Sequence, residues 1–298
     1  MQITLKVDVD TYRGTLEGVP ALLSMFKRYG VKATFLFSVG PDNTGRAIRR
    51  VFRRGFLGKV KRTSVTEHYG LKTLAYGVLL PGPHIGRKAG HVMREVAAEG
   101  HEVGTHAFDH VRWQDNVARR DEAWTRREMQ RAWDAYKDAL GAEPETTGAA
   151  GWQLNKHVLP LQSELGYTYA SDVRGRDPFL PTMEGTEGEC VQLPTTLPTL
   201  DELIGVDDVT ADNVHETVIT AARQPLAAGH VYTLHAELEG MKLLPVMDRL
   251  LASWQAEGVS IGTMGELYRS LDRSSLPRRE ITWGEVPGRS GSLAVEQV

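Results

Sequence analysis

The chain has few of the features of proteins from oxidising compartments or of proteins that span a membrane. Cys190 is the only cysteine among 298 residues, so no disulfide can form within the chain, and this suits a reducing compartment. The first residues lack the basic, apolar and small-residue regions of a secretory signal. No apolar run approaches the roughly 18 residues that are needed to cross a bilayer. We therefore expect a cytoplasmic protein without a membrane-spanning segment.

The chain also lacks the positive excess that is typical of nucleic-acid-binding proteins. Its formal net charge is −3 and its aromatic content is 7%, so nothing in the composition favours a nucleic-acid partner. One stretch departs from this balance, because residues 43–66 include no acidic residue. Its basic residues are Arg46, Arg49, Arg50, Arg53, Arg54, Lys59, Lys61 and Arg62.

Apolar side chains are interleaved with these basic residues. Val51, Phe52, Phe56, Leu57 and Val60 all fall within the same stretch. A mixture of cations and large apolar side chains is typical of an element that lies on an anionic membrane surface. A helix with a solvated, charged face is the alternative, and the sequence leaves it open.

Short apolar segments alternate with longer segments of helical periodicity along most of the chain. A glycine follows each predicted helix, as expected where a helix ends in a left-handed residue. The alternation favours parallel strands joined by helices, in a barrel or in a doubly wound sheet. The predicted strands are 3–8, 33–39, 102–105, 146–150, 167–172, 191–193, 231–235 and 259–262, and the predicted helices are 16–29, 87–99, 122–140, 156–165, 214–228 and 243–257.

Three segments interrupt this alternation. Residues 43–86 are too long for an ordinary connection between a strand and a helix, and such long connections are usually lids or binding loops. Residues 177–188 predict a second loop. Residues 277–298 lack periodicity and predict a poorly ordered tail. We therefore expect a single barrel domain over residues 1–276, with 43–86 as a basic insertion that faces a membrane or covers the site.

Titratable residues stand at the ends of three predicted strands. The first strand ends in Asp8 and Asp10, the third leads into His106 and His110, and the seventh ends at His235. In α/β folds with parallel strands, the carboxyl ends of the strands carry the catalytic groups. We therefore expect these five side chains to meet at one end of the fold.

The spacing of these residues indicates a metal site. Asp8 and Asp10 would share one face of a strand, where two close carboxylates repel unless a cation separates them or one holds a proton. His106 and His110 are four residues apart, which on a helical turn places both rings on one side. Each motif alone has an ordinary explanation, a helix cap or a chance pair. Their coincidence at the strand ends of one fold favours the metal site.

In this order, the motifs resemble those of the NodB-type polysaccharide deacetylases. Residues 7–14, 37–43, 104–113 and 235–237 are most similar to members that remove the formyl group from undecaprenyl phosphate-linked 4-deoxy-4-formamido-L-arabinose. The resemblance covers residues 1–271 and implies a distorted (β/α)7 barrel. It also implies action on this lipid-linked aminosugar at the anionic inner face of the inner membrane, for lipid A modification and cationic-peptide resistance.

The resemblance also implies roles for the five residues. Asp10, His106 and His110 become ligands of one divalent metal ion, Asp8 the general base and His235 the general acid. Zinc is the default metal, and manganese, cobalt or iron suit the same ligands. Because Val9 separates two aspartates that are adjacent in most members of the family, the sequence leaves open which of them binds the metal.

Two further residues are candidates for orienting the base or contacting the substrate. The resemblance leads us to expect an arginine that orients the base within 147–152, but the sequence has none there. Arg174, after the next predicted strand, could replace it, and an ordinary surface arginine is the alternative. Glu237, two residues after His235, is the other candidate.

Other functions remain open at this point. A deacetylase of peptidoglycan or of a chitin-like polymer would use the same residues, although such an enzyme should carry a secretory signal. A non-catalytic lipid-binding protein with a structural metal is the alternative outside enzymes, although structural sites usually close with four protein ligands. A Rossmann-type nucleotide enzyme is disfavoured, because no Gly-x-Gly-x-x-Gly follows an early strand. No obligate protein partner is indicated.

Overall fold

Strand β1 (Gln2–Val9) is buried on both faces, and the two faces differ in chemistry. In the computed structural model, which describes residues 1–47 and 72–297, Leu5 and Val7 belong to a large apolar core shared with the surrounding helices. Thr4, Lys6 and Asp8 alternate with them and are also buried. Because side chains alternate across a strand, the polar residues share one face, which points into a barrel rather than towards the helices.

Seven parallel strands form this barrel, in the order β9 (His230–His235), β1, β2 (Thr34–Ser38), β3 (Glu102–Ala107), β4 (Thr146–Thr147), β5 (Tyr169–Ala170) and β8 (Val191–Gln192). Between β8 and β9, the N–H groups of Thr196 and Leu197 donate to the Val231 carbonyl at 3.1 and 3.4 Å. The fold is therefore the expected distorted (β/α)7 barrel. Strand β10 (Ser260–Gly262) pairs with the beginning of β1, at residues 2–4.

The strands of the described residues are β1 (Gln2–Val9), β2 (Thr34–Ser38), β3 (Glu102–Ala107), β4 (Thr146–Thr147), β5 (Tyr169–Ala170), β6 (Leu180–Met183), β7 (Thr186–Glu187), β8 (Val191–Gln192), β9 (His230–His235), β10 (Ser260–Gly262), β11 (Arg278–Glu285) and β12 (Ser292–Glu296). The α-helices that lie wholly within the described residues are α1 (Val19–Tyr29), α2 (Ile85–Ala98), α3 (His110–Asn116), α4 (Glu122–Leu140), α5 (Val158–Glu164), α6 (Leu200–Leu203), α7 (Val214–Ala222), α8 (Leu244–Ala256) and α9 (Met264–Ser270). Shorter helical turns lie at Gly14–Gly18, Val117–Arg119, Ala150–Trp152, Leu238–Lys242 and Arg273–Ser275.

Local sequence signals set the ends of helix α4. The Asp121 carboxylate accepts a hydrogen bond from the Trp124 N–H at 2.9 Å and caps the first turn. The helix ends at Gly141, which adopts a left-handed φ of 73°. Between these ends, Met129, Ala132 and Ala139 are buried. The predicted helix 122–140 is therefore correct in both type and length.

The C-terminal segment differs from the prediction. Strands β11 and β12 form an antiparallel hairpin, and β11 runs parallel to β6 in a second sheet. Ile281, Leu293 and Ala294 are buried. The prediction of a poorly ordered tail at 277–298 is therefore wrong for the described residues of that segment. The pairing partner of β11 lies almost 100 residues earlier in the chain, which no local pattern reveals.

The predicted loop 177–188 supplies that partner. It contains β6 and β7, joined by Glu184 and Gly185, whose φ values are 49° and 76°. Two successive left-handed residues are typical of the tight hairpin turn that matches strand twist. The prediction of a loop is wrong here, because Glu-Gly is a weaker turn signal than Asn-Gly or Asp-Gly.

Only the two ends of the expected insertion, residues 43–47 and 72–86, lie within the described part of the chain. A turn at Tyr76–Leu80 closes with a hydrogen bond from the Gly77 N–H to the Leu80 carbonyl at 2.7 Å. Among the helices that the structure describes, we find none long and apolar enough to cross a bilayer.

We predict that the C-terminal hairpin contributes to stability. Ile281→Ala should lower the free energy of unfolding by about 2–5 kcal/mol, because it removes a buried side chain and leaves a cavity. Thr282→Ala, at the exposed neighbouring position, serves as the matched control. Equilibrium urea unfolding measures both, and equal stability of the two variants would indicate a hairpin that is not packed in solution.

Candidate metal centre

Asp10 follows the last residue of β1, and a buried glutamate fixes the backbone around it. Glu237 Oε1 accepts the N–H groups of Asp10 and Thr11 at 3.0 and 2.8 Å, and the Thr11 hydroxyl at 2.8 Å. A β-carbon at Gly14 would lie 2.0 Å from the same oxygen, so glycine is needed there. Burial, reinforced by the charge of Asp10, raises the pKa of Glu237 well above its usual range. Glu237 therefore orients the backbone of Asp10, and its side chain is buried.

The two histidines meet across a strand-to-helix corner. His106 lies in β3, and His110 is the first residue of α3, so the expected single helical turn is wrong. Asp109 forms the corner, since its Oδ1 accepts the Arg112 N–H at 3.0 Å and its Oδ2 accepts the Asn43 amide at 2.7 Å. This corner brings the two imidazole ring centroids to 5.3 Å from each other.

Both imidazoles face the Asp10 carboxylate. His106 Nε2 lies 3.3 Å from Asp10 Oδ1, and His110 Nε2 lies 3.4 Å from Asp10 Oδ2. One ligand atom from each of the three residues lies within 4.8 Å of the others. Asp8 lies on the other side of the His106 ring, with its Oδ1 at 3.8 Å from His106 Nδ1. The geometry therefore favours Asp10 over Asp8 as the ligand.

The electrostatics of this cluster fit a divalent cation. Burial alone would raise the pKa of Asp10, but His110, His106 and His235 outweigh it and hold that pKa below its usual range. Burial alone would lower the pKa of His106, but Asp8 and Asp10 outweigh it and raise that pKa. Apart from the approach of His106 Nε2 at 3.3 Å, the buried Asp10 Oδ1 has no hydrogen-bond partner among the described residues. Two imidazoles and one carboxylate would satisfy a metal and leave coordination positions open for hydrolysis.

His235 stands beside these residues on the neighbouring strand. It is the last residue of β9, and its Cα pairs in register with Asp8 of β1. Glu239 Oε2 accepts its backbone N–H at 2.9 Å, and burial raises the pKa of Glu239 to about 7 although His235 opposes that shift. The carboxyl ends of β1, β3 and β9 therefore bring the predicted residues to one end of the barrel.

Lys6 is a functional candidate that our sequence reasoning missed. Its ammonium Nζ lies 3.3 Å from Asp8 Oδ2, inside the barrel. Arg174, which we considered for that place, instead pairs with Glu202 at 2.5 Å and donates to the Leu197 carbonyl at 3.0 Å. The sequence contained a signal that identifies Lys6. It lies two residues before Asp8 on an alternating strand, so the two side chains share one face.

The described part of the insertion lies close to this corner. Arg46 Nη1 is 3.9 Å from Asp109 Oδ2, and Arg46 Nε donates to the Gly77 carbonyl at 3.1 Å. The next turn presents Val78, Leu79 and Leu80 to solvent, with exposed fractions of 54%, 81% and 47%. The other predicted membrane contacts lie outside the described residues: Arg49, Arg50, Arg53, Arg54, Lys59, Lys61 and Arg62.

Comparison with known proteins gives consistent matches. The model of the polysaccharide deacetylase family matches residues 8–170. A probable 4-deoxy-4-formamido-L-arabinose-phosphoundecaprenol deformylase of Shewanella sediminis is 36% identical, over 98% of this chain and 94% of that protein. A protein of the same name from Wigglesworthia glossinidia brevipalpis is 32% identical, over 95% of this chain and 98% of its own length.

A solved structure shows the same fold at low sequence identity. The crystal structure of a probable polysaccharide deacetylase from Pseudomonas aeruginosa superposes with a TM-score of 0.58 at 15% identity. The match covers 90% of this chain and 89% of that one.

We predict that metal content separates the two aspartates. Asp10→Asn, His106→Ala and His110→Ala each remove a ligand and should reduce bound divalent metal by about tenfold or more, the loss that even an outer partner of a ligand causes. Asp8→Asn should retain close to one ion per chain. Inductively coupled plasma mass spectrometry after gel filtration gives the ratio. Loss of metal in Asp8→Asn with retention in Asp10→Asn would mean that the two roles are reversed.

Proposed function

This chain belongs to the polysaccharide deacetylase family, and we propose that it hydrolyses the formamide of undecaprenyl phosphate-linked 4-deoxy-4-formamido-L-arabinose to the free amine and formate. Its family makes it a hydrolase of carbon–nitrogen bonds in amides other than peptides. The observation that supports this proposal is the cluster of Asp10, His106 and His110, which lies beside Asp8 and His235. The chain is also similar to deformylases over nearly its whole length.

Asp10, His106 and His110 would hold one divalent metal ion. Bound there, the ion would acidify a water molecule and polarise the formyl oxygen. Zinc is the default choice for two imidazoles and a carboxylate, and manganese, cobalt or iron fit the same set. The remaining chemistry belongs to side chains around the ligands.

Asp8 and His235 divide the proton transfers between them. Asp8 accepts a proton from water as the water oxygen attacks the formyl carbon. His235 donates a proton to the sugar nitrogen as the carbon–nitrogen bond breaks, because an amine is a poor leaving group until it is protonated. The two residues are neighbours across β1 and β9, so a base and an acid flank the same site. The products are formate and the free amine.

The substrate places the reaction at a membrane surface. A polyprenyl chain stays in the bilayer, so the protein must bring its site to the headgroup at the inner face of the inner membrane. The exposed side chains of Val78, Leu79 and Leu80 support contact with lipid, and Arg46 beside them supports contact with anionic headgroups. The basic residues of 46–62 continue that charge in the sequence. We expect the product amine to serve lipid A modification and cationic-peptide resistance.

We predict metal-dependent deformylation by the purified protein. Incubation with a formamido-arabinose polyprenyl phosphate should yield a product lighter by one carbonyl group in mass spectrometry, and chelation should abolish turnover until metal is restored. Asp8→Asn and His235→Ala should each lower kcat by about 10²–10⁴-fold, the loss expected for a missing base or acid. Turnover of an acetylated glycan polymer without turnover of the formamide would favour the polymer deacetylase instead.

We also predict salt-sensitive binding to anionic vesicles. Each basic side chain near an anionic surface contributes about 1 kcal/mol, and the attraction fades as the Debye length falls from about 10 Å at 0.1 M to about 3 Å at 1 M salt. Reversal of Arg49, Arg50, Arg53 and Arg54 to Glu should release the protein from such vesicles in a flotation assay. Turnover of a short-chain, water-soluble analogue should persist.

A charge-matched control tests whether position matters in that experiment. Reversal of four exposed cations of the barrel helices changes net charge equally and should leave vesicle binding nearly intact. Equal binding by the parent and the first variant at low salt would make residues 46–62 a solvated face. The control positions are Lys27, Lys88, Arg127 and Arg269.

A further inference from the structure

We propose that Lys6 is the positioning residue of the general base, and that its ammonium fixes the Asp8 carboxylate in the orientation that accepts the proton. This inference rests on the proposed function, since it takes Asp8 as the base. Lys6 does not touch the substrate in this scheme and acts only through Asp8.

Lys6 is fully buried, and its ammonium faces a carboxylate, a backbone carbonyl and an aromatic ring. Nζ lies 3.3 Å from Asp8 Oδ2, donates to the Ser171 carbonyl at 3.2 Å, and lies 5.3 Å from the centroid of the Trp152 ring. Removing an ammonium from water is costly unless its charge is matched and its hydrogen bonds are made. These partners come from β1 itself and from the chain segments that follow β4 and β5, so the position of Nζ is set by the barrel.

The pairing leaves the two oxygens of Asp8 in different environments. Oδ2 faces the ammonium, whereas Oδ1 is buried, has no hydrogen-bond partner among the described residues, and lies 3.8 Å from His106 Nδ1. With Oδ2 held by Lys6, rotation of the carboxylate is restricted and Oδ1 is the oxygen that can accept a proton. A base works only when it is within hydrogen-bond reach of that proton, so orientation is the property that Lys6 controls.

Residues 147–152, which pack beside Lys6, leave space for the lysine side chain. Residues 147–152 have no cation of their own, and a β-carbon at Gly148 would lie 3.2 Å from Lys6 Cε and 2.5 Å from Leu36 Cδ1. Trp152 adopts a left-handed φ of 51°, an uncommon conformation that for a non-glycine residue requires support from its surroundings. Its ring also lies 5.2 Å from the Arg174 guanidinium, but that group is already paired with Glu202. Lys6, by contrast, is paired with Asp8.

Three variants separate the effect of the Lys6 charge from the effects of side-chain shape and of position on the strand. Lys6→Met removes the charge at similar length, Lys6→Arg retains it, and Thr4→Val changes the same inner face of β1 two residues away. We expect kcat of Lys6→Met to fall about 10²-fold, as for a misplaced base, with KM within about threefold and metal content unchanged. Lys6→Arg should regain most of kcat, and Thr4→Val should match the wild type. If Lys6→Met does not fold, Lys6→Gln replaces it with the same expected loss.

A double-mutant cycle distinguishes action through Asp8 from a general loss of packing. Lys6→Met should have no further effect on kcat in an Asp8→Asn background, because residues that act as a unit are not additive. A kcat of Lys6→Met within threefold of wild type, or an equal loss in both backgrounds, overturns the inference while leaving the function intact. Absence of deformylation by the wild-type protein overturns the proposed function first, and the inference with it.

Discussion

Charge buried inside the barrel is the constraint on which the catalytic end depends. The inner face of β1 carries Lys6 and Asp8, and Asp10 follows directly. Each charge must be matched there, because an unpaired ion in an apolar interior is strongly destabilising. Lys6 faces Asp8 at 3.3 Å, and His106 and His110 face Asp10 at 3.3 and 3.4 Å. Strand β3 and helix α3 are therefore tied to β1 by electrostatics as well as by packing, and a metal ion at the same place would complete that balance.

Buried carboxyl groups also hold the loops around the site. Glu237 fixes the backbone at Asp10, and Asp109 fixes the corner before His110. Asp42 does the same at the start of the insertion, where it accepts the N–H groups of Tyr12 and Thr44 at 2.9 and 3.1 Å. Burial raises the pKa of Asp42, so these bonds stabilise a group that water would otherwise solvate better. The loop after β1 and the first residues of the insertion are thereby joined.

The C-terminal hairpin contacts the side of the barrel on which Trp152 and Lys6 lie. Arg289, in the loop between β11 and β12, pairs with Glu202 at 2.8 Å, and Glu202 also accepts from Arg174. The Arg289 guanidinium lies 4.7 Å from the Trp152 ring, which in turn contacts Lys6. Through Arg289, strands β11 and β12 therefore pack against the part of the barrel that surrounds Lys6 and Asp8. This packing explains why they form part of the fold and not a loose tail.

The sequence by itself determined the alternation of strands and helices and the five side chains at the ends of β1, β3 and β9, because periodicity and strand ends are local properties. The choice of a barrel over a doubly wound sheet came from the resemblance to a known family. The same period-two pattern places Lys6 on the face of β1 that carries Asp8. Only the tertiary structure decided that Asp10 rather than Asp8 faces both histidines, that Arg174 pairs with Glu202, and that β11 pairs with β6. Those outcomes depend on atoms that meet across 28 to 100 residues of sequence, and burial and charge matching, not local propensity, settle them.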